Sequence, residues 1–188
     1  MPPLTLDQRI HKALELAVEF DGFCFRNVSQ RFANRWDILS PEGSRITGGR
    51  YNFKGSFGVL YLACDLHTCL EETTQANKAL GFDIARRLPR TIVGIKVKLS
   101  KVLDLTDKKT RRTIGVSKSV LTETDWRHIQ NVRNQEAITQ QIGRFAKESG
   151  FEAILVPSAQ TKGKNLNVFP DNLLPSSRIE VVNEDELR

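Results

Sequence analysis

Short apolar runs rich in β-branched and aromatic residues recur along this chain at irregular intervals, and they constrain its fold more than any other feature. FCFRNV (23–28), FGVLYLA (57–63), TIVGIKVKL (91–99), FEAILVPS (151–158), NLNVF (165–169) and RIEVV (178–182) all have strand length and strand composition. FGVLYLA is almost continuously apolar, as expected of a central strand covered on both faces. TIVGIKVKL instead alternates through Val93, Ile95, Val97 and Leu99, and VLDL (102–105) extends it or pairs with it.

Helical patterns fall between these runs without a regular βαβ rhythm. Residues 5–19 place Leu6, Ile10, Leu14, Ala17 and Val18 at helical spacing behind a Thr5…Gln8 capping-box pattern. Asp65 offers a cap to a helix whose apolar positions are Leu66, Cys69, Leu70, Thr73, Ala76 and Leu80, with Gly81 as its stop. Residues 134–149 set Ile138, Ile142, Phe145 and Ala146 on one face before Gly150. The polar stretch from Arg31 to Lys54, with its Ser40-Pro41-Glu42-Gly43 and Gly48-Gly49 turn formers, reads as mainly loop. Lys108-Lys109-Thr110-Arg111-Arg112 reads as a solvated connection that could touch a phosphate. This order predicts an α+β fold, a single domain with a mixed or antiparallel sheet flanked by helices.

A hydrophobic share of 39% in 188 residues is enough to close one core. No stretch approaches the roughly 20 apolar residues of a membrane span, and the first residues lack a secretory signal, so a soluble cytoplasmic protein with no membrane partner is expected. Cys24, Cys64 and Cys69 have no CxxC spacing and read as buried reduced thiols. His11, His67 and His128 form no metal-type pair with another His or Cys, so no metal site is expected. The net charge of +6 favours an anionic partner without choosing among nucleic acid, a phosphorylated small molecule and an acidic protein.

Chemistry concentrates in two places. Gly48-Gly49 allows backbone conformations closed to other residues and close approach of main-chain N–H groups to an anion, and Arg50 adds a bidentate phosphate donor. An ordinary glycine turn with a solvated arginine fits the same residues. On the helix that follows Asp65, a projection at about 100° per residue centres the apolar face near Leu66, Thr73 and Leu80. Glu71 then points away from that face, and Glu72 sits at its half-buried edge. A shielded carboxylate can stabilise a developing cation, although a surface carboxylate paired with a lysine satisfies the same geometry. Tyr61 lies within an apolar strand, so its hydroxyl needs a partner or a cleft. Ser158 ends a strand, where sites often form but where turn serines are also common. GxSxG, GxGxxG and GxxxxGK[ST] are all absent, which argues against common hydrolase and nucleotide-binding folds.

GGRYNFKGSFGVLYLACDLHTCLEE, followed by GFEAILVPS and NLNVF, resembles the RES domain, the toxin half of a bacterial toxin–antitoxin family named for an Arg, a Glu and a Ser. The resemblance begins near Phe23, leaving residues 1–22 as an N-terminal helical extension and 23–188 as the RES-like catalytic domain. It implies Arg50, Glu72 and Ser158 as the three catalytic residues and Tyr61 as the strand tyrosine of the pocket. Arg26 and Asn165 match less distinctive positions, while Gly48 and Gly49 form the signature turn. Tyr51 stands where the family more often has tryptophan.

The resemblance further implies an ADP-ribosyltransferase-like fold and destruction of NAD by hydrolysis or phosphorolysis, with growth arrest as the result. ADP-ribosylation of a protein target is its alternative. NAD is then a substrate and no cofactor is bound. The implied partner is an antitoxin with a helix-turn-helix DNA-binding region, and the chain itself is not expected to bind nucleic acid. A basic nucleic-acid-binding or RNase-type toxin is the competing class, favoured by Arg86-Arg87 and Lys108–Arg112 but lacking a base-stacking aromatic pattern.

Overall fold

The apolar runs pair into one sheet that closes on itself. In the computed structural model, which describes residues 3–79, 81, 89–182 and 184–187, the strands are β1 (Val18–Ser29), β2 (Leu60–Ala63), β3 (Arg90–Asp104), β4 (Ala153–Pro157), β5 (Lys164–Val168) and β6 (Arg178–Val181). Their order is β1-β2-β5-β4-β3-β6, and β1 also pairs with β3, so five strands form a ring with β6 beside β3. Every pairing is antiparallel except β3 with β4, which runs parallel from Val102↔Ala153 to Asp104↔Leu155. The sheet is therefore mixed and the fold α+β. Ring closure satisfies strand edges that would otherwise be open to pairing with another chain.

Side-chain alternation sorts the apolar residues into two cores. Cys24, Leu60, Leu62, Val93, Ile95, Val97, Leu99, Ala153, Leu155, Leu166 and Val168 share one cluster inside the ring. Ile154, Val156 and Phe169 belong to the other cluster, which holds Ile10, Ala13, Ile114, Leu121, Ile142 and Ala146. Those residues come from α1 (Leu6–Lys12), the 3₁₀ turn Ala13–Leu16, α5 (Lys108–Ile114), α6 (Lys118–Glu123) and α8 (Ile138–Glu148).

Several local expectations are corrected. The opening helix stops at Lys12 and continues only as the 3₁₀ turn, because Val18 already pairs with Val102 at the start of β1. The Thr5 cap is present, its N–H donating to Gln8 Oε1 at 3.1 Å. The stretch 31–54 contains α2 (Arg35–Ile38), capped by the Asn34 side chain, and α3 (Glu42–Thr47). Of FGVLYLA only residues 60–63 are strand, since Val59 N–H is taken by Ser44 Oγ at 2.8 Å. Lys108–Arg112 is part of helix α5, capped by Asp107, and Arg111 is tied to the Leu105 and Thr106 carbonyls at 2.8 Å each. Ile138 lies at an exposed position, whereas Ile142 and Ala146 are fully buried. Leu80, Arg86 and Arg87 lie outside the described residues, as does the side chain of Ala76.

Of the cysteines, Cys24 and Cys69 are buried and Cys64 half-buried, all as free thiols. Among the described residues no helix is long and apolar enough to cross a membrane.

Two contacts decide how the elements sit together. Gly143 lies inside α8, where glycine costs about 1 kcal/mol relative to alanine. A Cβ at this position would stand 1.9 Å from the Tyr51 carbonyl oxygen, so the glycine is what lets the helix rest on the backbone of the 48–52 turn. Glu152 is fully buried and accepts from the Ser100 and Lys101 N–H groups at 2.9 Å each, from Leu174 N–H at 3.1 Å and from the Ser177 hydroxyl. Burial alone would raise its carboxyl, but these hydrogen bonds outweigh burial and hold it below its ordinary value.

Gly143→Ala should therefore destabilise the fold by about 3 kcal/mol through overpacking against backbone, read as a lower urea midpoint. Glu152 has a folded-state pKa below its unfolded value, so its contribution is present above the unfolded pKa and is lost as pH falls through the folded one. Glu152→Gln should lower stability at neutral pH and flatten the acid limb of the stability profile relative to wild type. A variant with the wild-type acid limb would show that Glu152 does not carry it.

Candidate active site

The glycine pair owes its place to two close approaches. Gly48 has φ +74°, and a Cβ there would meet Gln130 Oε1 at 2.1 Å; a Cβ on Gly49 would meet the Tyr61 hydroxyl at 2.3 Å. Both glycine N–H groups are used internally, Gly48 donating to Ser44 O at 2.8 Å and Gly49 to Asn52 O at 2.9 Å. The two glycine N–H groups are therefore not free to hold an anion.

A buried polar network fixes the turn from behind. Gln140 Nε2, on α8, donates to Gly49 O at 2.9 Å, Asn52 O at 3.2 Å and Gln130 Oε1 at 2.9 Å. Asn52 Nδ2 donates to Ser44 O and Phe57 O. Tyr61, on β2, donates its hydroxyl to Asn52 Oδ1 at 2.8 Å and accepts from Tyr51 N–H at 2.9 Å. Burial pushes the Tyr61 phenol well above its ordinary value, so it stays neutral. Tyr51 itself is buried in the outer core.

Helix α4 (Leu66–Ala79) starts on the Asp65 cap, whose carboxylate accepts from Thr68 N–H at 2.8 Å, and ends with Gly81 at φ +70°. Its inward face differs from the periodicity reading. Leu66 and Leu70 are 46% and 41% exposed and Thr68 is 0% exposed, whereas Cys69, on the expected face, is buried at 4%. Glu72 is half-buried, as its place at the edge of the apolar face predicts, and it reaches β5 and the end of β4. Glu72 Oε1 accepts from Ser158 Oγ at 2.6 Å and Asn165 Nδ2 at 2.7 Å. Oε2 makes no hydrogen bond among the described residues. Ser158, 4% exposed, also accepts from the Gln160 and Thr161 N–H groups at 3.0 and 3.2 Å, so its hydroxyl is saturated.

These elements enclose a cavity of about 630 Å³ lined by Arg26, Gly48, Gly49, Arg50, Tyr61, Glu72, Arg90, Trp126, Arg127, Asn165 and Asn167 among others. Of the sequence-derived candidates only Ser158 stands off its wall, behind Glu72. Among the described residues four arginines and one carboxylate line it, so it is an anion-accepting pocket.

The arginines divide by what they hold. Arg26 donates to the Ile38 and Ser40 carbonyls, and burial lowers its pKa to about 10. Arg90 donates to Asn27 Oδ1 at 2.6 Å and Asn27 O at 2.8 Å. Arg50 Nη1 donates to Leu121 O at 3.2 Å and Thr124 O at 3.0 Å, which anchors the corner between α6 and α7 (Trp126–Asn131). Arg127, carried by α7, stacks on the Trp126 ring at 4.5 Å and makes no hydrogen bond among the described residues. Burial, and next the charge of Arg50, lower its pKa, as expected for a cation awaiting an anion.

Sequence reasoning did not find Trp126, Arg127, Gln130, Gln140 or Asn167. A signal existed for two of these positions: Asp125 is a helix cap, accepting from His128 N–H at 3.0 Å, and the alternation of NLNVF puts Asn167 on the face of Asn165.

Comparison with known proteins places the chain among relatives of known family. The chain is 28% identical over 160 residues to NAD(+) phosphorylase MbcT of Mycobacterium tuberculosis, covering 84% of this chain and 78% of that protein. The MbcT of Mycobacterium bovis gives the same figures. A probable NAD(+) phosphorylase of M. tuberculosis is 30% identical over 125 residues, covering 64% of this chain and 53% of that protein. Among solved structures, a chain in the crystal structure of the M. tuberculosis MbcT–MbcA toxin–antitoxin complex shares the fold, with a TM-score of 0.69 and 24% identity across 98% of this chain and 99% of that one. The RES domain matches residues 24–187, and this chain belongs to the RES domain family.

Proposed function

We propose that this chain cleaves the nicotinamide–ribose bond of NAD and transfers the ADP-ribosyl group to inorganic phosphate, acting as the toxin of a toxin–antitoxin pair. The observation that carries the reading is Glu72, held through one oxygen by Ser158 and Asn165 while its other oxygen is unbonded beside a cavity lined by arginines. Family membership and the NAD(+) phosphorylase relatives support the substrate.

The chemistry follows from the charges. The diphosphate of NAD lies against Arg127 and the free edge of Arg50, and the nicotinamide lies against Tyr61. As the C1′–N bond breaks, its electron pair passes to the pyridinium nitrogen and neutral nicotinamide leaves. Positive charge builds on the ribose, where the Glu72 carboxylate stabilises it directly or through a ribose hydroxyl. A phosphate oxygen then bonds to C1′ and gives ADP-ribose 1″-phosphate. Glu72 is the catalytic residue in this scheme. Ser158 and Asn165 are positioning residues, since they fix the carboxylate that they donate to. Arg26 shapes the wall by holding the carbonyls of Ile38 and Ser40.

Phosphate is preferred to water as acceptor because the cavity holds more cationic groups than one diphosphate neutralises. The catalytic domain spans residues 23–188 together with Val18–Gly22, which belong to β1, and the helical segment before them contributes Ile10 and Ala13 to the outer core. The chain acts in the cytoplasm. Its protein partner is a cognate antitoxin with a helix-turn-helix region, in line with the toxin–antitoxin complex that shares this fold.

Incubation of the purified chain with NAD and phosphate should release nicotinamide and yield ADP-ribose 1″-phosphate, detected by mass. Absence of nicotinamide release at high protein concentration, with and without phosphate, sinks the proposal; free ADP-ribose or a modified protein as the product would move the acceptor to water or a side chain. Glu72→Gln should lower kcat by about 10²- to 10³-fold. Arg127→Ala should raise KM for NAD by about 10-fold or more, the loss of a charge-assisted hydrogen bond, with kcat less affected. Ser158→Ala should lower kcat with little change in KM, and Ser158→Thr should restore part of it.

A further inference from the structure

Asn167 is a buried amide that the catalytic scheme above leaves unused. It is 1% exposed, it lines the cavity, and neither its Oδ1 nor its Nδ2 has a hydrogen-bond partner among the described residues. An unpartnered buried amide costs about 1–3 kcal/mol per orphaned group, so a position like this stands out from ordinary core packing. Its neighbours across the sheet explain why the protein leaves it unpaired. Asn167 is flanked by Tyr61 on β2 and Ile154 on β4. The Tyr61 hydroxyl is already engaged by Asn52 and Tyr51, and Ile154 has no polar side-chain atom. Both functions of the amide are therefore left for something that enters the cavity.

We infer that Asn167 recognises the carboxamide of the nicotinamide ring and thereby selects the leaving group. A primary amide facing a primary amide offers one donor and one acceptor to the matching acceptor and donor, so both orphaned atoms are satisfied at once. Position agrees with chemistry. Asn165 and Asn167 are two residues apart on one face of β5, a separation of about 7 Å. Asn165 holds the Glu72 carboxylate, where the scissile bond must lie. A nicotinamide ring reaching from that bond along β5 brings its carboxamide toward Asn167, with the Tyr61 side chain in the adjoining strand as its apolar neighbour. A site built to hydrogen-bond a substrate group rejects analogues that lack it, because rejection leaves its own buried groups unpaired.

This inference rests on the NAD-cleavage reading, and its test separates the two. The probes are NAD and its 3-acetylpyridine analogue, in which a methyl group replaces the amide nitrogen, with kcat/KM measured for each. Wild type should favour NAD by about 10-fold or more. Asn167→Leu should bring the ratio close to one, and Asn167→Asp, which still accepts from the amide N–H, should keep a preference at lower overall efficiency. A wild-type ratio retained in Asn167→Leu would overturn the inference while leaving NAD cleavage standing.

Calorimetric binding of free nicotinamide and free 3-acetylpyridine to wild type and Asn167→Leu gives a readout that needs no turnover. Tighter binding of nicotinamide by wild type, weakened about 10-fold in Asn167→Leu, supports the subsite even in a protein that proves unable to cleave NAD. Equal binding of the two free ligands by wild type would overturn it.

Discussion

The turn from Gly48 to Asn52 is the constraint on which the rest of this structure depends. Its carbonyls are bonded by Gln140 of α8, its N–H groups by Ser44, Asn52 and Tyr61, and its flank is closed by Gly143. Buried polar groups without partners are costly, so each of these bonds restricts where the others can be made. Helix α8, helix α3, strand β2 and the α6–α7 corner thus converge on five residues. The two glycines serve this convergence: one takes a left-handed backbone and the other gives room to a tyrosine hydroxyl.

On that base the cavity places a carboxylate and several arginines in unequal roles. Arg26, Arg90 and part of Arg50 are occupied by protein acceptors, which fixes their geometry. Arg127 makes no hydrogen bond among the described residues and is held by stacking on Trp126 and by the corner that Arg50 anchors. Glu72 is similarly divided, one oxygen bonded and one unbonded. Rigid groups with unsatisfied valences aimed at a cavity are preorganised for charge that develops during reaction.

Much of the fold was legible in the chain. All six strand-type runs are strands in whole or part, and the Thr5, Asp65 and Gly150 end signals act where they were read. These are local effects of side-chain shape and backbone bonding. The failures share a cause. Apolar periodicity puts Leu66, Cys69 and Leu70 inward, yet only Cys69 of these three is buried, while the polar Thr68 is fully buried against Asp65 and Thr161. The short helices α2, α3, α6 and α7 carry no long apolar period, and each is held in place by a cap or by distant packing.

By itself the sequence determined the α+β class, the strand inventory and the family signature, through patterns that span a few residues and need no knowledge of what lies opposite. Only the tertiary structure decided which face of α4 turns inward, that Ser158 bonds Glu72 rather than lining the cavity, and that Arg127 and Asn167 line that cavity. The contacts that settle these points link residues 86 apart for Ser158 and Glu72, 93 apart for Asn165 and Glu72, and 74 apart for Arg50 and Thr124. Such pairings arise when the ring of strands closes, and local periodicity has no access to them.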